Sequence, residues 1–310
     1  MINMKEAKKQ TIGVEVEMNN ITREEAAKVA AEFFGTGRYE DTAFWNGYGS
    51  WSAWSQDGRE WKFQRDISID GPEPQQCELV TPILSYDDMG TLQGLIRALR
   101  EAGAKSDYKR KCGVHIHIGA NGHTAQTLTN LANIMASHEE LLTDALGLDR
   151  YDNRYGHFCK PVNPEFLKLL NEKNPQTMEA LAEIWYVGNG FSAGRNKHYN
   201  KSRYHMLNYH ATFTKGTIEF RLFQFDIPGN GRLNGLHAGQ LKSYIQLCLA
   251  LSELAKELKF ASPKPQQTEN PKYAMRTWLL RMGFIGDEFK TARRVLTKRL
   301  SGNTAFRKVV

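Results

Sequence analysis

Three short segments, far apart in the chain, alternate apolar residues with ionisable ones. They are 13–18 (GVEVEM), 113–118 (GVHIHI) and 217–222 (TIEFRL). Because successive side chains of a β-strand point to opposite faces, each segment predicts a strand with one apolar and one ionisable face. The ionisable members are Glu15 and Glu17, His115 and His117, and Glu219 and Arg221. An ordinary half-buried strand carries Thr, Ser or Lys on its polar face, so three such strands predict one concave site built on a sheet.

Carboxylates dominate the predicted polar face. Glu15 and Glu17 point the same way and repel each other unless a cation lies between them, which predicts a metal site. Two glutamates on a solvated strand face are the alternative. Asp66, Glu78 and Glu219 add carboxylates within further predicted strands. A donor set rich in oxygen, with one or two imidazoles, favours Mg²⁺ or Mn²⁺ over a structural Zn²⁺.

The Glu219-x-Arg221 segment adds a guanidinium to this face. An arginine is a poor metal ligand, but its planar fork fits the oxygens of a phosphate that a metal also holds. The alternative is a salt bridge between Glu219 and Arg221. Lys62, Lys201 and Arg203 are further phosphate candidates, although each alone also fits a surface charge. Neither a P-loop nor a dinucleotide-binding glycine fingerprint occurs, so any nucleotide is held by metals, cations and packing.

Charge and composition narrow the function classes. The net charge is +7, but from residue 261 onward there are eleven Lys and Arg against three Asp and Glu, so the basicity lies in the tail. This distribution argues against a general nucleic-acid function, while a tail that grips an acidic partner stays open. The four cysteines form no C-x-x-C pair, and no long apolar run occurs. We therefore expect a soluble, cytoplasmic protein without a membrane partner.

The order of helix and strand signals predicts an α+β fold. Helix signals cover residues 22–34, 85–102, 124–147, 164–171, 176–187 and 235–258; strand signals cover 11–18, 60–69, 76–81, 112–118, 203–213 and 217–225. The last two strands flank Lys215-Gly216 and predict a hairpin. Since no regular βαβ rhythm appears, we expect a largely antiparallel open sheet with helices on its outer face. Prolines at 263, 265 and 271 predict a linker, which divides a catalytic domain, 1–262, from a basic helical appendage, 263–310.

Five motifs in order resemble the amidoligase family of the carboxylate–amine ligases, whose relatives include glutamine synthetase and glutamate–cysteine ligase. They are G-V-E-V-E (13–17), D-I-S-I (66–69), C-E-L-V-T-P (77–82), C-G-V-H-I-H-I-G (112–119), and R-Y-H-M-L-N with T-I-E-F-R-L-F (203–208, 217–223). The resemblance implies a curved antiparallel sheet of the glutamine synthetase type. Its concave face is implied to bind ATP with two or three divalent ions.

The resemblance also implies roles for individual residues. Glu15, Glu17, Glu78 and Glu219 look like metal ligands, with His117 beside them. Arg221 resembles the phosphate-binding arginine, and His115, Lys62 and Arg203 are the other ATP or phosphate candidates. Asp66 and Asn208 match motifs that serve the substrate amine or the surrounding network, and Asp66, Glu219 and Arg221 form the expected catalytic set. The chain departs from the family pattern in three places. They are a Trp-rich insertion that carries Trp45, Trp51, Trp54 and Trp61, the segment 151–161, and the basic appendage.

The implied reaction is amide or isopeptide formation that consumes ATP through an acyl phosphate. The carboxylate and amine partners would be small molecules, peptides or a protein side chain. Two alternatives stay open at this point: a metal-dependent hydrolase that uses the His-x-His and glutamate cluster, and a binding module that uses the basic tail. The glycine-rich loop at 187–197 is a candidate lid.

Overall fold

A computed structural model describes residues 2–47, 49–148, 159–197, 199–226, 235–265 and 267–307. Eight strands form one sheet in the order β2-β3-β4-β5-β1-β6-β8-β7. The strands are β1 (Ile12–Met18), β2 (Tyr39–Asp41), β3 (Trp51–Trp54), β4 (Glu60–Gln64), β5 (Cys77–Val80), β6 (Val114–Gly119), β7 (Leu207–Asn208) and β8 (Thr217–Phe223). The ladders β1–β5, β2–β3, β3–β4, β4–β5 and β7–β8 are all antiparallel. The predicted mixed fold with a largely antiparallel sheet is therefore confirmed.

Helices of four to twenty residues connect the strands and follow them. They are α1 (Met4–Ala7), α2 (Arg23–Phe33), α3 (Ala43–Asn46), α4 (Met89–Glu101), α5 (Ala125–Ser137), α6 (Glu139–Leu146), α7 (Pro164–Lys173), α8 (Met178–Gly188), α9 (His210–Lys215), α10 (Ala238–Glu257), α11 (Pro271–Arg281) and α12 (Lys290–Thr297). Within the described residues no helix is both long and apolar enough to cross a membrane.

The chain divides into two compact units. The first unit comprises Thr11–Ile116 and Phe223–Lys242; the second comprises Met1–Gln10, His117–Leu222 and Ser243–Val310. Strand β6 begins in the first unit and ends in the second. Residues 149–158, which hold most of the segment 151–161, lie outside the described residues. The functional division at residue 262 stays a prediction.

In the first unit the alternation of strand side chains separates an apolar layer from a polar one. Val14, Val16, Phe63 and Leu79 are fully or almost fully buried. Helix α2 packs against β3 and β4 through four buried alanines, whose small side chains allow a close approach. Its first turn is fixed by the reciprocal capping box of Thr22 and Glu25. This apolar layer leaves the opposite side chains of β1, β4 and β5 available for the site.

The second unit joins the C-terminal helices to the middle of the chain. The Trp278 indole of α11 stacks on the His138 ring, with centroids 3.9 Å apart. The Arg299 guanidinium donates to the Leu146 carbonyl at the end of α6. Lys8 Nζ lies 2.7 Å from the Glu288 carboxylate. The segment predicted as a basic helical appendage thus forms helices α11 and α12, which belong to this unit.

Three sequence predictions about elements were wrong. The strand predicted over 60–69 ends at Gln64, because the Asp66 carboxylate accepts the Ser68 backbone N–H at 2.7 Å and forms a turn instead. The helix predicted over 124–147 is two helices, which meet at His138 with φ −114° and ψ 12°.

The third error concerns the strand predicted over 203–213. Only Leu207 and Asn208 pair with β8, and helix α9 follows. The Asn208 side-chain oxygen accepts the His210 backbone N–H at 2.8 Å, which favours a turn over an extended strand. Gly216, which we predicted as the hairpin turn, is the left-handed cap of α9 with φ 71°.

Candidate functional site

The cross-strand register places acidic side chains in adjacent rows on one face of the first unit. Glu78 of β5 stands directly opposite Glu17 of β1 and Gln64 of β4. In the next row Val80 stands opposite both Glu15 and Lys62. Directly opposed residues of antiparallel strands point to the same face, so Glu15, Glu17 and Glu78 share one surface. Like charges placed in this way destabilise a sheet unless something compensates them.

His115 of β6 lies between the two glutamates of β1. Its Nδ1 is 3.0 Å from Glu15 Oε2, and its Nε2 is 3.5 Å from Glu17 Oε1. The imidazole is only 3% exposed. Both ring nitrogens therefore face carboxylate oxygens in a space that excludes most water.

Five residues of the first unit form the acidic cluster: Glu15, Glu17, Asp66, Glu78 and His115. One ligand atom from each of Glu15, Glu78 and His115 lies within 4.8 Å of the others, and the same holds for Glu17, Asp66 and Glu78. Carboxylate oxygens with an imidazole nitrogen are the donor set that Mg²⁺ or Mn²⁺ accepts in proteins. The residues present thus fit a divalent metal.

Two neutral groups orient the carboxylates of the acidic cluster. The Gly113 backbone N–H donates to Glu17 Oε2 at 2.6 Å. The Gln64 side-chain amide donates to Glu78 Oε2 at 2.8 Å. Hydrogen bonds of this kind, behind a metal ligand, fix its orientation. They leave other carboxylate oxygens facing the centre of the cluster.

Glu78 carries an electrostatic cost in the acidic cluster. Burial raises the pKa of Glu78 well above its ordinary value, and the carboxylates of Glu15, Asp66 and Glu17 raise it further. The hydrogen bond from Gln64 acts in the opposite direction. A buried carboxylate among other carboxylates is stable as an anion only when a cation compensates it.

The second unit holds a different constellation, the arginine cluster: His117, Tyr204, Asn208, Glu219 and Arg221. Glu219 is 3% exposed and its two oxygens are both engaged: Arg221 Nη1 donates to Oε1, and the Asn208 amide donates to Oε2 at 2.6 Å. His117 Nδ1 is 3.0 Å from the Thr217 hydroxyl, and its Nε2 is 3.9 Å from Glu219 Oε1. Here a buried carboxylate already has a cation beside it.

Tyr204 extends the arginine cluster toward a second guanidinium. The Arg221 guanidinium lies 5.9 Å from the centre of the Tyr204 ring, and the Arg203 guanidinium lies 5.7 Å from it. Arg203 also packs over Tyr199 at 5.5 Å. Such cation–π contacts hold a guanidinium flat and preserve its forked donors for an anion.

The structure groups the predicted site residues as follows. The acidic cluster gathers Glu15, Glu17, Asp66, Glu78 and His115. The arginine cluster gathers His117, Asn208, Glu219 and Arg221. Lys62 lies on the polar face but is 42% exposed and pairs with Glu60 at 3.4 Å. The salt bridge between Glu219 and Arg221, an alternative at the sequence level, is present.

Sequence reasoning missed two kinds of residue. Gln64, Gly113 and Thr217 support the charged groups, but nothing in their local sequence indicates it, because their role depends on the register and on the fold of distant segments. Asp66 was predicted to serve the substrate amine or the surrounding network, and that role stays a prediction; its ligand atom lies within 4.8 Å of those of Glu17 and Glu78. The turn after β4 carries it there, and the predicted strand concealed that turn.

Comparison with known proteins adds one finding. Residues 8–252, most of the chain, match the family model described as "Putative amidoligase enzyme". Both clusters fall inside the matched range. No curated protein matches the chain.

Proposed function

The chain belongs to the amidoligase family, and from this premise we propose that it is an ATP- and Mg²⁺-dependent ligase that joins a carboxylate to an amine. The observation that carries the proposal is the acidic cluster. Its three glutamates, one aspartate and one histidine are held at metal-ligand spacing on a rigid sheet. No other group among the described residues of that unit offers so many converging oxygen ligands.

Divalent ions are the proposed occupants of the acidic cluster, with Mn²⁺ as a substitute for Mg²⁺. Glu15, Glu17 and Glu78 would hold them, with His115 and Asp66 beside these ligands. Glu219 and His117 are the proposed metal ligands of the second unit. Bound ions of this type neutralise the charge of nucleotide phosphates and polarise the phosphoryl group. The carboxylates repel one another, which favours a bound cation over a purely structural role for the cluster.

Arg221 is the proposed anion-binding group for the transferred phosphoryl oxygens, with Arg203, Lys62 and His115 as further candidates for ATP contacts. Its guanidinium is 4% exposed and fixed by Glu219 and Tyr204, so little conformational freedom is lost on binding. In-line transfer from ATP to the substrate carboxylate gives an acyl phosphate and ADP. The amine then attacks the acyl carbon and expels phosphate, and Asp66 accepts the amine proton.

The acid and the amine are proposed to be small molecules, peptides or a protein side chain, joined as an amide or isopeptide. Asn208, which donates to Glu219, is the proposed contact to the substrate. We propose that the sheet is of the glutamine synthetase and glutamate–cysteine ligase type, because the antiparallel order and the polar face fit that architecture. Water must be excluded from the acyl phosphate, which hydrolyses when exposed.

The test is an incubation of the protein with Mg²⁺-ATP and pools of amino acids and peptides, with ADP release and product mass followed together. A ligase releases ADP and phosphate in step with a product whose mass equals the two substrates minus water. A Glu15→Gln variant, in which one carboxylate of the acidic cluster is neutral, should lose this activity. The matched control is Glu40→Gln, an exposed β2 glutamate paired with Arg38.

The two alternatives give different results in the same assay. Metal-dependent cleavage of a peptide or amide without ATP would contradict the ligase and support the hydrolase. A binding module is supported if the full chain releases no ADP and binds a partner only while the residues after Pro263 are present. Full activity of Glu15→Gln would remove the metal assignment.

A further inference from the structure

A chain of hydrogen bonds in the second unit connects Glu219 to a loop far along the sequence. Glu219 Oε2 accepts from the Asn208 amide at 2.6 Å, and Asn208 Oδ1 accepts from the His210 backbone N–H at 2.8 Å. The His210 ring then contacts the Lys197 carbonyl at 3.0 Å. Asn208 and His210 are 2% and 3% exposed, so water cannot easily replace these bonds.

The His210 ring can be assigned one tautomer from its partners. A backbone carbonyl only accepts, so Nε2, which faces the Lys197 carbonyl, carries the hydrogen. In the neutral ring Nδ1 then accepts from the Tyr186 hydroxyl 2.7 Å away, whose single hydrogen it shares with the more distant Arg195 carbonyl. Burial raises the pKa of Tyr186, which keeps the phenol protonated for this purpose. His210 thus links α8, α9 and the loop through two directional bonds.

The loop that His210 holds, residues 189–197, is the part of the predicted lid candidate 187–197 that follows helix α8. The Tyr186 hydroxyl also lies 3.3 Å from the Arg195 carbonyl. Arg195 itself forms an ion pair with Glu183 of α8. The Asn200 amide donates to the Phe191 and Gly194 carbonyls at 3.3 and 3.1 Å. The loop therefore has a defined position that depends on a few side-chain bonds, which is typical of a segment that can open.

We propose that His210 is a positioning residue that couples the order of loop 189–197 to the orientation of the Glu219 carboxylate. The inference rests on the proposed function, because it takes Glu219 as a metal ligand. When the loop is closed, the His210 ring is fixed, its backbone N–H holds Asn208, and Asn208 holds Glu219. A metal bound through Glu219 favours the closed loop, and the closed loop favours the metal. Such coupling is reciprocal by thermodynamic necessity, so both directions have the same factor.

Two substitutions separate the bonds of His210. In His210→Asn the side-chain oxygen replaces Nδ1 and can accept from Tyr186, but the bond to the Lys197 carbonyl is lost. In His210→Gln the amide nitrogen reaches the position of Nε2 and can donate to the Lys197 carbonyl. A purely structural role predicts similar damage from both variants. The coupling predicts damage from His210→Asn and rescue by His210→Gln.

The experiment measures Mn²⁺ binding and amide hydrogen exchange of loop 189–197 in the full chain. In the wild type we expect saturating Mn²⁺ to slow exchange in the loop at least about fivefold. In His210→Asn we expect faster exchange, no slowing by Mn²⁺, and a weakening of Mn²⁺ binding by the same factor. His210→Gln should behave within about twofold of the wild type. If His210→Asn does not fold, Tyr186→Phe, which removes only the hydroxyl donor, is expected to change both readouts in the same direction.

Two results would overturn the inference. A wild type that binds Mn²⁺ while loop exchange stays unchanged contradicts the coupling and leaves the proposed function intact. The same holds if His210→Asn binds Mn²⁺ as the wild type does. A wild type that binds no Mn²⁺ contradicts the metal assignment, and the coupling fails with it.

Discussion

The acidic cluster and the arginine cluster both bury glutamates, but they compensate the charge differently. In the acidic cluster Glu15, Glu17 and Glu78 face one another with a single imidazole between two of them. In the arginine cluster Glu219 has a guanidinium on one oxygen and an amide on the other. In the first cluster four carboxylates surround one imidazole, and in the second a guanidinium pairs directly with the buried carboxylate. The difference fits the proposed binding of divalent cations by the first cluster, while the second holds a fixed guanidinium against its carboxylate.

Replacement of Arg221, the fixed cation of the arginine cluster, should have the largest effect on stability and on the rate of ligation. In Arg221→Met the buried Glu219 carboxylate loses the guanidinium that compensates its charge, so the free energy of unfolding should fall by about 3 kcal/mol. Ligation should slow by about 10³-fold, the lower end of what a phosphate-binding arginine contributes. Chemical denaturation and ADP release measure the two effects. Arg221→Lys keeps the charge without the planar fork and should be intermediate in both, and normal ligation by Arg221→Met would end its assignment to phosphate.

Neutralisation in the acidic cluster should change stability in the opposite direction. Glu78→Gln removes a carboxylate whose pKa is raised by burial and by its acidic neighbours. We expect the metal-free protein to melt about 2 °C higher or more, because a repulsion is relieved. We expect ligation to fall at least about 100-fold, because a proposed ligand is lost.

Thermal melts of metal-free wild type, Glu78→Gln and Glu40→Gln test this prediction. Glu40 is exposed on β2, so its variant should melt within a degree of the wild type. A lower melting temperature for Glu78→Gln would mean that the carboxylate is compensated within the protein, and the contrast between the clusters would disappear.

Protonation of His123, which lies outside both clusters, should lower the free energy of unfolding by a smaller amount over a defined pH range. His123 bonds the Thr127 and Ser252 hydroxyls at 3.0 and 2.8 Å, and burial lowers its pKa from 6.5 to about 4. The unfolded chain takes up the proton first, so stability that is present above pH 6.5 is lost as the pH falls toward 4. The loss at pH 5 should be about 2 kcal/mol.

Denaturant unfolding at pH 7.5 and pH 5 measures this loss in the wild type and in His123→Gln. The variant has no imidazole at this position, so its decline over the same interval should be smaller. Identical declines would show that the acid sensitivity originates in other groups, among them the titratable residues of the two clusters, and that His123 does not contribute to it.

The elements that the sequence predicted well have strong local patterns. Strand β1 alternates over seven residues, and helix α2 begins at a capping box. The failures occurred where a side chain overrides such a pattern. Asp66 and Asn208 each bond a backbone N–H two residues later, which ends an apparent strand. Propensity alone does not reveal that competition.

For the candidate site, the sequence predicted which residues share a face but not which residues meet. Alternation places Glu15 with Glu17, and Glu219 with Arg221, without any knowledge of the fold. The pairing of Glu17 with Glu78 requires the β1–β5 register, which turn geometry and distant packing determine. The bonds of His210 to Tyr186 and to the Lys197 carbonyl depend on three elements at once.

The central claim is that the acidic cluster binds divalent metal, and direct Mn²⁺ titration of the metal-free protein tests it best. Electron paramagnetic resonance of free Mn²⁺ or calorimetry gives the number of sites and their affinity without reference to any substrate. We predict saturable binding by the wild type and by Glu40→Gln, and binding weakened at least about 100-fold in Glu78→Gln. The account is contradicted if the wild type binds no Mn²⁺, or if Glu78→Gln binds it as tightly as the wild type does.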